Sequence, residues 1–118
     1  MAHPPTLYHN PKCGTSRKAL GMLREAGIEP RIIEYLKTPP TRAELTDLLA
    51  SMNLTPRQLL RRKEAAYTEL GLDDPTTSDE ALIDALLAHP ILMERPIVVT
   101  GKGARLCRPV EKLLEVME

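Results

Sequence analysis

Apolar positions along the chain alternate between short runs and helical spacing. Leu7-Tyr8-His9, after Pro4-Pro5, is a short apolar run that predicts a first strand. A turn at Asn10-Pro11-Lys12 leads through Cys13-Gly14-Thr15-Ser16 into a helix. Ala19, Leu23 and Ala26 recur there at roughly helical spacing, and Gly27 is a natural stop. Arg31-Ile32-Ile33-Glu34-Tyr35, begun by Pro30, predicts a second strand. Together they form a strand–helix–strand unit of about thirty residues, the length a right-handed crossover between parallel strands requires.

Pro39-Pro40 changes the texture. Thr41 with Glu44 forms a capping box ahead of the stripe Leu45, Leu48, Leu49 and Met52. Thr55-Pro56-Arg57-Gln58 repeats the signal, with Pro56 at the first helical position. A further start is predicted at Thr77 with Glu80, followed by Leu82, Ile83, Leu86 and Leu87, and His89-Pro90 ends that helix. Residues 38–90 are thus an all-helical block without linker composition at either end. The expectation is one domain over residues 1–118, with this block as an insertion packed onto it.

Strands return late. Ile97–Thr100, then Gly101-Lys102-Gly103, then Ala104–Cys107 predict a hairpin with a glycine-rich turn. Pro109 opens a last helix with Val110, Leu113, Leu114 and Met117 on one face. The order is strand, helix, strand, helical block, two antiparallel strands, helix. It matches the thioredoxin plan: an α/β fold with a mixed four-stranded sheet, flanking helices and an all-helical insertion. In that plan Pro96, directly before the third strand, is expected in cis and facing a reactive cysteine.

Composition narrows the partners. The chain has 118 residues, 42% of them hydrophobic, enough for a proper core, yet it contains no Phe or Trp. Leu, Ile, Val, Met and Ala must therefore do the packing. Sixteen basic residues balance sixteen acidic ones, which argues against nucleic acid or a membrane surface as partner. Any bound anion should be held by a few locally placed arginines. No apolar run is long enough to span a membrane, and MAHPPTLYHN lacks the apolar core of a signal peptide. The expected setting is a cytoplasmic monomer, where a structural bridge between Cys13 and Cys107 is disfavoured.

Chemistry points to Cys13. A free thiol with a pKa of roughly 8.5 is only about 3% thiolate at pH 7. Unpaired amides at a helix start stabilise an anion and can bring cysteines to roughly 3.5–7.5. The same amides can receive a substrate oxyanion. Gly14 allows close backbone approach, Thr15 and Ser16 offer hydroxyl donors, and Arg17 adds a positive charge. Ser16 stands where dithiol oxidoreductases place their resolving cysteine, so redox turnover needs a thiol from elsewhere. Cys107 is expected in the core, and His3 and His89 at the surface or terminus. The Cys and His positions lack the paired spacing of a zinc site, so no metal and no bound cofactor are expected.

The segments YHNPKCGTSRKAL, TPPTRAEL, LLRR, AYTELGL, HPILMERPIVVT and ARLCRP resemble the glutaredoxin-linked arsenate reductase family. The resemblance runs from about residue 7 to residue 115 and implies a thioredoxin-like fold and reduction of arsenate to arsenite. It places the nucleophile on Cys13 and an anion site on Arg61, Arg95 and Arg108. It also gives His9 a part in thiolate formation. Arg62, in the same cationic run as Arg61, falls outside that site. Glutathione is the implied co-substrate and glutaredoxin the implied partner. The alternative on the same fold is a glutathione-binding or redox-regulatory protein without arsenate turnover. Regulators of that kind that contact RNA polymerase commonly use a two-cysteine switch, which Ser16 removes here.

Overall fold

Four short strands set the layout of the structure, a computed structural model that describes residues 4–118; His3 lies outside them. The order is β1 (Thr6–His9), α1 (Gly14–Glu25), β2 (Arg31–Glu34), α2 (Arg42–Met52), α3 (Pro56–Leu59), α4 (Ala65–Glu69) and α5 (Asp79–Ala88). A 3₁₀ turn at Pro90–Leu92, β3 (Ile97–Thr100), β4 (Gly103–Leu106) and a 3₁₀ segment at Val110–Glu115 complete the chain. The sheet order is β2-β1-β3-β4. β1 and β2 are parallel, and the other two pairings are antiparallel. This is the mixed sheet with flanking helices that the element order predicts. The Arg95–Pro96 bond is cis, as expected, and Arg108–Pro109 is cis as well.

The chain divides into two compact units. One comprises the described residues up to Thr38 together with Arg95–Glu118, and the other is Pro39–Glu94. In the first, Leu7 lies opposite Val98 across β1 and β3, so both side chains leave the same face of the sheet. Ala19 and Leu23 of α1 and Cys107, Leu113 and Val116 complete that fully buried cluster. α1 ends in a Schellman arrangement. Gly27 has φ +79, its amide reaches the carbonyl of Arg24, and the Ile28 amide reaches that of Leu23. Ile28 also packs against the core containing Leu23, which fixes where the chain turns back into β2.

The second unit is helical, with both predicted capping boxes formed at Thr41–Glu44 and Thr55–Gln58. α5 begins one residue later than predicted. Asp74 accepts the amides of Thr76 through its side chain and Thr77 through its carbonyl, so these residues belong to a turn. Ser78 is then the residue whose hydroxyl accepts the Ala81 amide. α4 has too few residues to show a periodicity. The last segment also differs from expectation. It is 3₁₀ rather than α, so Leu113 and Val116, three apart, share the buried side, while Leu114 is 60% exposed.

Candidate active site

Strand direction assembles the site from distant parts of the sequence. β1 runs toward His9, β3 starts beside Tyr8 and runs the opposite way, and β4 returns to pair Leu106 with Ile97. The residues just after β1, just before β3 and just after β4 therefore meet at one end of the sheet. These are the Cys13 loop, Arg95 and Arg108.

Cys13 is the N-cap of α1 and is half-buried. The loop that presents it is built on Asn10, which is buried. Its carbonyl accepts the Cys13 amide at 2.9 Å and its side-chain oxygen accepts the Lys12 amide at 3.0 Å. Arg17 braces the same loop by donating to the Pro11 carbonyl at 2.9 Å. The thiol makes no capping hydrogen bond; the thiolate is another matter. Burial is the largest influence on its pKa and acts upward. It is outweighed by the Ser16 amide, the Arg95 side chain, the Thr15 amide and the Arg108 side chain, so the pKa lies below the ordinary thiol value. Any step that needs the thiolate therefore switches on at lower pH than with a free cysteine.

The two arginines are held differently. Arg95 is buried, only 6% exposed, so its charge acts on the sulfur with little screening by water. Arg108 is partly exposed. Its Nη1 donates to the Arg95 carbonyl at 3.0 Å and stands 3.8 Å from Cys13 Sγ. The start of β3 thus contributes one guanidinium and anchors the other.

Ser16 departs from the expected role. The hydroxyl expected to face an oxyanion belongs to a fully buried side chain that accepts the Asn10 amide at 3.1 Å and meets His9 Nδ1 at 2.6 Å. What Ser16 gives the sulfur is its backbone N–H. Burial, the largest influence, lowers the His9 pKa; Glu34 opposes it, and Arg17 and Arg24 add to it. The ring is thus neutral at pH 7, and we assign the Ser16 hydroxyl as the donor to Nδ1. His9 is linked to Cys13 through Ser16. Gly14 and Thr15 face outward and, with Arg17 and Lys18, line an open cleft of about 540 Å³.

Arg61 belongs to the second unit. Its guanidinium is held by Glu94 at 3.0 Å and Glu64 at 3.2 Å. Arg62, in contrast, is exposed. The Asn10 scaffold and the two carboxylates on Arg61 are absent from the residues singled out in the sequence. The turn read at Asn10-Pro11 marks the first as loop, but not as the buried scaffold of Cys13. The Glu94 pairing depends on a tertiary contact and leaves no local signal.

Cys107 behaves oppositely to Cys13. It is fully buried, and burial chiefly pushes its pKa up to about 11. A raised pKa favours folding below the ordinary thiol range, and that contribution is lost as the pH rises toward about 11. Iodoacetamide at pH 7 is therefore expected to add one label to the native chain, at Cys13, and two after denaturation. Intact mass reads the count, and rapid double labelling of the native chain would contradict the burial. Among the described residues no group of His, Cys, Asp and Glu could hold a metal ion, and no helix is long and apolar enough to cross a membrane.

Comparison with known proteins places the chain in a family. The ArsC family pattern matches residues 8–116. An arsenate reductase of Rhizobium meliloti is 57% identical over 112 residues, covering 95% of this chain and 80% of the relative. An Escherichia coli protein titled "Uncharacterized protein YfgD" is 48% identical, with 99% of both chains covered. The solved structure titled "Arsenate reductase from Vibrio cholerae" superposes with a TM-score of 0.93 at 45% identity, covering 99% of this chain and 100% of that one. The family pattern includes the Cys13 loop, Arg95 and Arg108, the segments that the sheet brings together, and the chain belongs to the ArsC family.

Proposed function

We propose that the chain reduces arsenate to arsenite with Cys13 as nucleophile and with glutathione and glutaredoxin as the source of reducing thiols, in the cytoplasm. The observation that carries this reading is the 3.8 Å approach of Arg108 to Cys13 Sγ beside the buried Arg95. A thiolate with guanidinium groups around it is suited to a tetrahedral oxyanion. The planar forks match its oxygens, and the helix amides add donors.

In this reading the Cys13 thiolate attacks arsenic, and one arsenate oxygen leaves as water after protonation. Arg95 and Arg108 hold the remaining oxygens, with the amides of Gly14, Thr15 and Ser16 at the helix start. His9 acts through Ser16, keeping the third helical residue, and so its amide, in place. Glutathione then attacks the sulfur-bound arsenic, and a second oxygen leaves as water. The glutaredoxin thiol attacks the glutathione sulfur, breaking its bond to arsenic, so the mixed disulfide departs and the electron pair stays on arsenic. Water finally cleaves the bond between arsenic and Cys13, which frees arsenite and returns the thiolate. In net terms H₃AsO₄ and two thiols give H₃AsO₃, one disulfide and water. Two electrons pass from sulfur to arsenic. Ser16 in place of a second cysteine fits a cycle in which both reducing thiols arrive from outside.

The test is NADPH oxidation in a mixture of the protein, glutathione, glutathione reductase and glutaredoxin. Consumption should depend on arsenate and stop when glutathione or glutaredoxin is left out. A protein that forms a glutathione mixed disulfide at Cys13 but consumes no NADPH with arsenate would be a redox-binding protein instead, and the proposal would fall.

A further inference from the structure

The unit that holds Cys13 supplies no second thiol for it. Ser16 carries a hydroxyl, and Cys107 is fully buried with its pKa pushed up to about 11. A reducing thiol from solution has to reach Cys13 across an open surface. The cleft of about 540 Å³ lined by Gly14, Thr15, Arg17 and Lys18 is such a surface, and it begins at the residue after Cys13. Its size lies within the roughly 300–1,000 Å³ of small-molecule sites.

The charge of this surface is one-sided. Lys12, Arg17 and Lys18 are exposed, and among the described residues none of them is in an ion pair. The first turn of α1 has no acidic residue, and no Asp or Glu precedes Glu25 in the sequence. Arg24, further along the same helix, is by contrast paired with Glu29 at 2.9 Å. Arg17 is folded back toward the sulfur loop. Its Nη1 donates to the Pro11 carbonyl at 2.9 Å, and its Nη2 lies 3.7 Å from where a Cβ on Gly14 would stand.

The incoming thiol meets a sulfur that is negative or carries a bound oxyanion. Glutathione has two carboxylates and one ammonium group, so it approaches as a net anion and needs cations beyond those that hold the oxyanion. We infer that the cleft beside Cys13 is a binding site for the carboxylates of glutathione, with the side chains of Arg17 and Lys18 as the cations that hold it. A guanidinium and an ammonium one residue apart offer a planar donor and a point charge to the two carboxylates. This inference rests on glutathione being a source of reducing thiol, as the proposed function has it.

The experiment is thiol–disulfide exchange at Cys13 of the full chain, without arsenate. The Cys13 thiolate attacks one sulfur of a disulfide, a mixed disulfide forms, the old sulfur–sulfur bond breaks, and the other half leaves as a thiolate. Oxidised glutathione and cystamine offer this bond with opposite net charge, and intact mass follows both reactions. The ratio of the two rates cancels any change in the amount of thiolate. Lys18→Ala should lower the ratio of glutathione to cystamine rates by about two- to fivefold, the scale of one exposed charge pair. Lys18→Glu should lower it further, and about 0.5 M sodium chloride should shrink both effects. Arg17→Ala should act in the same direction. Arg17→Lys, which keeps the charge but not the fork, should recover most of the ratio. Lys102→Ala removes a cation from the turn at the opposite end of β3 and serves as control. Ratios in Lys18→Ala and Arg17→Ala that move no more than in Lys102→Ala would overturn the subsite. So would a wild-type Cys13 that is alkylated by iodoacetamide yet forms no mixed disulfide with glutathione. Because arsenate is absent, these results are independent of arsenate turnover, which the coupled assay tests by itself.

Discussion

Cys13→Ser eliminates arsenate-dependent turnover while leaving the chain folded. A serine hydroxyl is not ionised at neutral pH, so neither the thiolate nor its reducible sulfur survives. The loss should be on the order of a thousandfold or more, as for removal of a covalent nucleophile. Below the pH at which Cys13 ionises, stability should be held or raised; above it, the variant lacks the stabilisation that the depressed thiol pKa gives the wild type. Cys13 occupies the N-cap of α1 without a capping hydrogen bond from its thiol. Serine is among the preferred residues there, and a hydroxyl accepting the Thr15 or Ser16 amide adds up to about 1 kcal/mol. Thermal unfolding at a pH where Cys13 is protonated and the coupled assay on the same preparation should therefore diverge, with Tm held or raised and activity absent. Residual turnover within tenfold of wild type would place the chemistry elsewhere.

Arg95→Ala and Arg108→Ala should each lower kcat/KM for arsenate by roughly ten- to a hundredfold, the scale of one charge-assisted hydrogen bond of about 1.5–3 kcal/mol. They should differ in what they do to the sulfur. Arg95 is buried and is the stronger of the two guanidinium influences on Cys13. Its removal should raise the thiol pKa more than removal of Arg108, whose charge is partly open to solvent. Arg95→Lys keeps the charge but loses the fork, and should restore more of the pKa than of the arsenate KM. Arg62→Ala serves as control, since Arg62 is exposed. Equal losses at Arg62, Arg95 and Arg108 would mean that bulk positive charge, and not the site geometry, matters.

Much of this site was legible before any coordinates, for identifiable reasons. Turn chemistry at Asn10-Pro11 and the glycine after Cys13 mark a helix start locally, and α1 begins at Gly14 as read. The strands were legible because their apolar runs are bounded by Pro and Gly, and Pro96 falls where the fold places its cis proline. What escaped depends on competition between neighbours. Thr77 and Ser78 are both good caps, and only the Asp74 turn decides for Ser78. The last segment carries apolar residues at both three- and four-residue spacing, and packing of Leu113 and Val116 selects the 3₁₀ form. Ser16 could not be assigned from its type. A hydroxyl can serve a ligand or a neighbour, and the partners His9 and Asn10 are set by where β1 ends.

Activity depends on a sulfur that ionises early because positive charge and amides surround it. The most direct test is titration of Cys13 by thiolate absorbance or alkylation rate against pH, with Cys107 silent below about pH 9 because its own pKa lies near 11. A midpoint clearly below that of a free cysteine is predicted. It should move upward when a tetrahedral oxyanion such as phosphate occupies the arginines, because a bound anion opposes a second negative charge beside it. A midpoint at or above the free-thiol value, unmoved by saturating phosphate, would contradict the central claim.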